Sequence, residues 1–256
     1  MPASSLALQA LSGLPEVLPG MDLAALLCSA ARDAGQHLVD GDVLVVAQKV
    51  VSKAEGRFMD LRDVAPSAAA LALAARVRKD PRFVEAVLRE SSAVVRASAH
   101  VLITRHRLGY VMANAGIDRS NVPGSDGGER ILLLPLDPDA SARALRAAIL
   151  RQSGARVGVV ISDSFGRPWR IGTVNVALGV AGLPAVVDRR GGVDRDGRRL
   201  ETTQVALADA LAAAAGVVMG ETTESTPVVR LRGLHWDGPG GSGQDLLRSV
   251  AEDLFQ

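Results

Sequence analysis

Two short windows of the sequence combine carboxylates with hydroxyl and amide side chains. The first, 114–121, contains Asp118, and the second, 161–170, contains Asp163 and Ser164. Each window follows a β-branched run that predicts a strand. Hard divalent cations prefer oxygen ligands, and they often bind where several such side chains meet. The two windows therefore predict a site for metal ions and phosphate groups.

The overall composition describes a protein with a packed core and no dominant charge. The chain has 256 residues, of which 48% are apolar, and its 29 basic and 28 acidic residues leave a net charge of +1. Such a chain can bury a large core. It lacks the long-range field that would hold it on nucleic acid or on an anionic membrane, so a small ligand is the better expectation.

The cysteine content and the N-terminus predict a cytoplasmic protein. Cys28 is the only cysteine, and it lies in an apolar run that predicts a buried, inert thiol. The first residues lack the basic and apolar regions of a signal peptide. No stretch reaches the roughly 20 apolar residues that a membrane helix needs. We therefore expect a soluble protein that is not exported.

Alternating strand and helix signals, without a repeat, predict an α+β fold over residues 1–256. Strands are predicted at 5–17, 42–51, 94–105, 109–113, 131–134, 157–162 and 228–231. Helices are predicted at 22–35, 67–79, 81–90, 137–153, 202–215 and 244–255. Residues 175–198 are predicted as loop with an Asp-Gly hairpin turn at Asp196-Gly197, and the tail 237–256 is predicted to begin with a flexible glycine-rich loop at 238–243. No clean linker divides the chain, so two interleaved subdomains are expected in a single domain.

Several common functional motifs are missing, and their absence narrows the choice of chemistry. The sequence has no P-loop and no G-x-G-x-x-G motif after a strand, so the ordinary P-loop and Rossmann nucleotide sites are missing. The run Asp194-Arg-Asp196-Gly197 resembles a calcium loop, but Val205 stands where the closing glutamate should be. The four histidines lack zinc spacing, and no serine lies in a nucleophile elbow.

The remaining charged residues fit phosphoryl transfer, although each also has an ordinary structural interpretation. Asp118 and Asp163 could bind Mg²⁺ or Mn²⁺ with help from the Ser164 hydroxyl, or Asp118 could be a loop residue that accepts local backbone donors. Lys53, with Arg57 behind it, could meet a phosphate or lie on a solvated strand end.

Two further sets of residues also have both a functional and a structural interpretation. Arg167 and Arg170 flank Trp169 and could hold an anionic substrate, or they could form an ordinary surface cluster. Glu221 could be a metal ligand or an exposed loop acid.

Four windows together resemble the coenzyme F420:L-glutamate ligase family. They are 41–57, 114–122, 162–170 and 219–233, in the same order as in the family, and the resemblance covers nearly the whole chain. It implies a homodimeric α+β fold unrelated to P-loop proteins. It also implies an enzyme that adds L-glutamate to the lactyl phosphate tail of a deazaflavin coenzyme, F420-0, with GTP as co-substrate. Two divalent metal ions, Mg²⁺ or Mn²⁺, would be the cofactors, with K⁺ as a candidate additional ion.

The resemblance also assigns roles by matching position. It implies that Asp118 and Asp163 bind the first metal, that Ser164 and Glu221 help to bind the second, and that Lys53 is catalytic beside the two aspartates. The residues implied to contact the nucleotide are Leu14, Pro15, Glu16, Val17, Gln48, Lys49, Lys53, Asn121, Met219, Gly220, Thr222, Thr223 and Thr226. The family often has threonine at Ser164, glutamine at Glu221 and Ser/Thr-type residues at Gln48 and Lys49, so the chain departs from the pattern there.

The expected mechanism follows from the chemistry of an unactivated carboxylate. Its leaving group would be oxide, so the terminal carboxyl of the coenzyme is first phosphorylated by GTP, and the glutamate amine then displaces phosphate. Three alternatives share parts of the same sequence pattern: a related ligase with another amino acid or carboxylate acceptor, a non-catalytic subunit that binds nucleotide or deazaflavin, and a metal-dependent phosphohydrolase. A phosphohydrolase should turn over GTP without an amine acceptor, so the dependence of GTP turnover on the acceptor separates it from the ligases.

Overall fold

A computed structural model describes residues 5–119 and 129–253 of the chain. The strands are β1 (Ala7–Ala10), β2 (Val43–Ala47), β3 (Phe58–Asp60), β4 (Ser91–Ser98), β5 (Val101–His106), β6 (Val111–Ala113), β7 (Arg130–Leu132), β8 (Gly158–Gly166), β9 (Thr173–Ala181), β10 (Val186–Asp188), β11 (Gln204–Ala206) and β12 (Val228–Arg232). The α-helices are α1 (Leu23–Asp33), α2 (Gln48–Ala54), α3 (Ala68–Val77), α4 (Pro81–Arg89), α5 (Pro138–Ser153) and α6 (Leu207–Met219).

A mixed five-stranded sheet carries the larger part of the core. Its order is β1-β12-β2-β8-β9, in which β2 and β8 are parallel and every other pair is antiparallel. Leu44 and Val46 face a core shared with α1 and α5, whereas Val43 and Val45 face a core shared with α6. Because side chains alternate along a strand, a strand that is covered on both faces becomes a continuous apolar run.

A second core lies in the chain segment between α2 and α5. Helices α3 and α4 pack there against the three-stranded antiparallel sheet β4-β5-β6, around Phe83, Val87 and Leu102. Strand β3 pairs with β7 beside this core. The fold is α+β, as predicted, and it differs from P-loop and Rossmann architectures in its sheet order. The division into two interleaved subdomains stays a prediction.

The predicted helix starts are confirmed where a capping residue marks them. Asp22, Asp80 and Asp137 each accept a hydrogen bond from a backbone N–H of the first turn of α1, α4 and α5, respectively. Proline follows Asp80 and Asp137 at the first helical position, where its missing N–H is not needed. Gly154 ends α5 in the left-handed conformation, with φ 75°.

One boundary that matters for the site was wrong. The predicted strand 42–51 ends at Ala47, and the chain continues directly as helix α2. The apolar pair Val50 and Val51 suggested strand, but both residues are buried on the inner side of this short helix. A short apolar run does not distinguish the two structures by periodicity.

Other predictions failed where tertiary pairing decides the structure. The predicted strand 94–105 is the hairpin of β4 and β5, turned at His100, and the predicted loop 175–198 begins inside strand β9. Helix α6 starts later than the predicted 202–215, because β11 precedes it. Up to Asp253, the last described residue, the predicted helix 244–255 is replaced by 3₁₀ turns at Gly243–Leu246 and Val250–Glu252.

The glycine-rich tail is hydrogen-bonded to the body of the protein, although it was predicted to be flexible. The N–H of Gly241 donates to the carbonyl of Leu183 at 2.8 Å, and the N–H of Gly243 donates to Asp139 Oδ1 at 2.8 Å. The Asp-Gly turn at Asp196-Gly197 and the buried free thiol of Cys28 agree with the predictions. In the described ranges, no helix is both long and apolar enough to cross a bilayer.

Strand β9 passes so close to the start of α5 that only glycine fits at Gly179. A Cβ atom there would lie 2.2 Å from the carbonyl oxygen of Pro138. We expect Gly179→Ala to lower the free energy of unfolding by about 1–3 kcal/mol through overpacking, measured by urea or thermal unfolding. Gly166→Ala is the matched control in the same sheet, since its Cβ would meet nothing within 4 Å. Equal stability of the two variants would contradict this packing.

Candidate functional site

A cleft of about 820 Å³ lies at the carboxyl ends of the parallel strands β2 and β8. Parallel strands whose carboxyl ends meet commonly form ligand sites, because the following loops converge there. The predicted residues that line this cleft are Leu14, Pro15, Glu16, Val17, Gln48, Lys49, Lys53, Asp118, Asp163, Ser164, Met219, Gly220, Glu221, Thr222, Thr223 and Thr226. Residues far apart in sequence thus share one cavity, although their roles stay predictions.

Helix α2 supplies the cationic side of the cleft. Lys49 and Lys53 are four residues apart, so both project from one face of the helix. The buried Lys53 donates through Nζ to Glu16 Oε1 at 2.6 Å. Gln48 is also buried, and its Oε1 accepts a hydrogen bond from Ser52 Oγ at 2.9 Å. The last turn of the helix therefore holds the Lys53 ammonium group inside the cavity.

Asp118 is fixed by its backbone and by an ion pair. Its N–H and C=O both bond to Leu132 at 2.9 Å, which holds the segment against the end of β7. Its Oδ2 lies 2.6 Å from Nζ of Lys49. The preceding turn is tight, with φ near 50° at the non-glycine residues Asn114 and Ala115. This conformation is strained for Ala115, and strained residues of this kind cluster at functional sites.

Asp163 lies on β8, opposite these cations. Its burial raises its pKa to about 7, and the negative charges of Asp118 and Glu221 act in the same direction, against the hydrogen bond from the Ser164 backbone and the charge of Lys49. A carboxylate in this setting binds a proton or a cation more readily than an exposed one. Asp163 is therefore poised to accept a positive charge in the cleft.

The far wall of the cleft is the segment 219–226 after α6. Ser164 Oγ donates to Glu221 Oε2 at 2.9 Å, which joins this segment to β8. Thr226 Oγ1 donates to the carbonyl of Met219 at 2.7 Å, and the N–H of Thr222 donates to Glu224 Oε2 at 2.8 Å. The last bond lowers the pKa of Glu224. These bonds shape the segment.

The oxygen donors of the cleft suit a hard divalent cation, but they do not form a ready-made cage. Among the residues described, no three His, Cys, Asp or Glu side chains gather as a metal site. The Lys49 ammonium lies on Asp118, so a cation would have to share or replace that ion pair. The raised pKa of Asp163 and the buried Ser162 Oγ, which has no hydrogen-bond partner among the described residues, both suit the binding of a positive group.

Some predicted residues lie elsewhere. Asn121 lies outside the described residues. Arg57 donates to the carbonyl of Leu134 at 2.9 Å and to Glu90, so it is not behind Lys53 in the cleft. Arg167, Trp169 and Arg170 lie at the turn between β8 and β9 and do not line the cleft, and the Trp169 side chain is 86% exposed.

The sequence interpretation also missed two features of the cleft. It assigned Lys49 to the nucleotide and did not foresee its ion pair with Asp118. It assigned nothing to Ser162, although this residue lies in the quoted window beside Asp163. A hydroxyl at the end of a predicted buried strand was the available signal, since such a group needs a partner.

Comparison with known proteins identifies the family of the chain. Residues 13–233 match the model of the F420-0:Gamma-glutamyl ligase family. A coenzyme F420:L-glutamate ligase of Methanothermobacter thermautotrophicus is 46% identical, with 95% of this chain and 96% of the relative covered. Proteins of the same name from Methanopyrus kandleri and Natronomonas pharaonis are 46% and 47% identical, with 94% and 95% of this chain and 94% and 92% of the relatives covered. The chain therefore belongs to the F420-0:gamma-glutamyl ligase family.

Proposed function

We propose that this protein is a GTP-dependent ligase that adds L-glutamate to the lactyl phosphate tail of coenzyme F420-0. The observation that carries the proposal is the meeting of Lys53, Asp118, Asp163 and the segment 219–226 in one cleft. Family membership and the names of the relatives supply the substrate class. A homodimer, and K⁺ as a candidate additional ion, are further parts of the proposal.

The first step forms an acyl phosphate. A terminal carboxylate oxygen of the coenzyme attacks the γ-phosphorus of GTP, the bond from that phosphorus to the bridging oxygen breaks, and GDP leaves with the electron pair. The transferred group and the leaving phosphate carry negative charge throughout. The buried ammonium of Lys53 lies in the cleft to stabilise that charge, which is worth more in a site shielded from water than at the surface.

The second step forms the amide. The nitrogen of L-glutamate attacks the acyl carbon, and inorganic phosphate leaves with the electron pair of the broken carbon–oxygen bond. Of the three protons on the glutamate ammonium, one stays on the amide, one is carried by the hydrogen phosphate and one goes to solvent. The protein's part is to hold amine and acyl carbon together and to exclude water, which would hydrolyse the acyl phosphate.

Asp118, Asp163, Ser164 and Glu221 are the residues that would hold the divalent metal ions. Bound there, such ions supply charge neutralisation of the nucleotide phosphates. Asp163 contributes a carboxylate whose proton a cation would displace, and Ser164 orients Glu221 through their 2.9 Å hydrogen bond.

The raised pKa of Asp163 predicts that metal affinity depends on pH. Below pH 7 a proton competes for the carboxylate, so the Kd for Mn²⁺ should weaken by up to about tenfold per pH unit, whereas above pH 7 the proton is already lost and the affinity should level off. Titration of Mn²⁺ by calorimetry between pH 5.5 and 8.5 measures this. Asp163→Asn should bind weakly with little dependence on pH in that range. A flat profile in the unaltered protein would contradict the role of Asp163.

Acceptor dependence of GDP release tests the proposed function. The protein is incubated with GTP and Mn²⁺, with F420-0 and L-glutamate added singly and together. We expect sustained GDP release only when both are present. Release without L-glutamate would indicate a phosphohydrolase, release with a different amino acid would indicate a related ligase, and nucleotide binding without release would indicate a non-catalytic subunit.

A further inference from the structure

An ion pair holds a lysine on a carboxylate that the proposed function assigns to a metal ion. Nζ of Lys49 lies 2.6 Å from Oδ2 of Asp118, and the two side chains are 29% and 18% exposed. Charges that are partly shielded from water interact more strongly than charges on the surface. A metal ion at Asp118 would therefore compete with the ammonium group for the same carboxylate.

The charge of Lys49 also reaches Asp163, the other aspartate assigned to that ion. Burial is the main cause of the raised pKa of Asp163, the charge of Asp118 raises it further, and the charge of Lys49 lowers it. Both aspartates thus lie within the electrostatic reach of one ammonium group. A divalent ion between them would be repelled by that group at short range.

The backbone on either side of the pair is anchored, so it cannot relieve this competition. Lys49 is the second residue of α2, which follows β2 directly, and Ala47 at the end of β2 pairs with Ser162 of β8. Asp118 is hydrogen-bonded to Leu132 through both its N–H and its C=O. The part that can move is the lysine side chain, which is a flexible stem of four carbons. An ion that takes Asp118 would therefore displace the ammonium group.

The nucleotide offers the displaced ammonium group another partner. Lys49 and Lys53 both line the cleft and project from the same face of α2. Phosphate oxygens beside Lys53 would therefore lie within reach of Lys49 as well. An exchange of partners would leave every charge paired, with the metal ion on Asp118 and the Lys49 ammonium on phosphate.

Either ligand alone would lack this compensation. The metal ion alone would leave the Lys49 ammonium without its carboxylate, and removal of one partner from a shielded ion pair is costly. The nucleotide alone would bring its phosphates towards the Asp118 carboxylate, and like charges repel. The two should therefore bind more tightly together than separately, and such coupling is reciprocal.

We infer that Lys49 is a built-in competitor for the metal site, an inference that rests on the function proposed above. Its ammonium group holds Asp118 until the nucleotide phosphates draw it away. The divalent ion therefore binds tightly only together with the nucleotide. In this way one lysine couples the arrival of the two charged ligands.

The experiment must separate this ion pair from the general positive charge of the cleft, since any nearby lysine repels a metal ion to some extent. Lys53→Met is the matched control for Lys49→Met. Lys53 lies one turn further along the same helix, lines the same cleft and pairs with Glu16. Lys49→Arg is the second control, because it keeps the positive charge beside Asp118.

Calorimetric titration with Mn²⁺ at pH 8, without nucleotide and then with saturating GDP, tests the inference. Without nucleotide, we expect Lys49→Met to lower the Kd for Mn²⁺ at least about tenfold, within the range typical of coupling between sites. Lys53→Met and Lys49→Arg should bind Mn²⁺ nearly as weakly as the unaltered protein. After correction for Mn²⁺ bound to free GDP, GDP should tighten Mn²⁺ binding by a smaller factor in Lys49→Met, which has no ammonium group to transfer.

Equal Kd values for Mn²⁺ in the unaltered protein and in Lys49→Met would overturn the inference. An equal tightening in Lys53→Met, or an equal effect of GDP with and without Lys49, would overturn it as well. Mn²⁺ binding that is measurable only in Lys49→Met would support it, and no Mn²⁺ binding in either protein would overturn it. The titrations contain neither F420-0 nor L-glutamate, so they decide the inference even if the GDP-release assay shows that the proposed ligase function fails.

Discussion

Asp163→Asn should lower the rate of glutamate addition at least about a hundredfold while leaving the folded protein as stable as before. Loss of a residue that merely supports a metal ligand typically costs 10–100-fold in metal affinity or activity, so loss of a direct ligand should cost at least as much. The cleft already favours the neutral form of this side chain, since burial raises its pKa to about 7. Asparagine resembles that neutral form.

The stability measurement separates catalysis from folding in this variant. Because the pKa of Asp163 is higher in the folded protein than the ordinary value of 3.8, the charged form costs stability, and the cost grows as the pH rises from about 4 to about 7. Asp163→Asn should therefore unfold at the same or a higher temperature than the unaltered protein at pH 8. The control is Asp196→Asn, in an exposed hairpin turn outside the cleft. A normal rate with Asp163→Asn would contradict the proposed metal site.

Lys53→Met should lower kcat/KM for GTP by roughly 10²–10³-fold, as removal of one preorganised charge-stabilising donor does in other enzymes. The side chain of Lys53 is 7% exposed, and that of its partner Glu16 is 60% exposed. Removal of the lysine therefore leaves a carboxylate that water can solvate, so the stability of the folded protein should fall only a little. Methionine keeps most of the length of the side chain and removes its charge.

Steady-state kinetics with varied GTP measure the effect of Lys53→Met, with thermal unfolding as the check on folding. Arg151→Met, on the exposed surface of α5, is the charge-matched control. An unaltered kcat/KM for GTP would remove Lys53 from the phosphate site.

Local chemistry made several elements predictable. The starts of α1, α4 and α5 follow from Asp22, Asp80 and Asp137, because a capping carboxylate satisfies backbone donors that the helix itself cannot. The end of β2 did not follow, since the run through Val50 and Val51 fits a strand and a buried helix equally well. The prediction of a flexible glycine-rich tail was wrong for a related reason, because glycine content alone says nothing about hydrogen bonds to distant residues.

The site was predictable only in part. The windows around Asp118 and Asp163 indicated oxygen ligands from residue type, and resemblance to a family added the segments at Glu16 and at 219–226. The ion pair between Lys49 and Asp118 joins side chains that are distant in sequence. Such contacts are set by the tertiary fold, which no local pattern encodes.

Mass spectrometry of the coenzyme tests the central claim most directly. F420-0 is incubated with GTP, Mn²⁺ and L-glutamate, together with either the unaltered protein or Asp163→Asn. The molecular mass of the coenzyme is then measured. The account predicts a gain of whole glutamyl units with the unaltered protein, accompanied by GDP, and almost none with the variant over the same time. A coenzyme of unchanged mass in the presence of a folded, nucleotide-binding protein would contradict it.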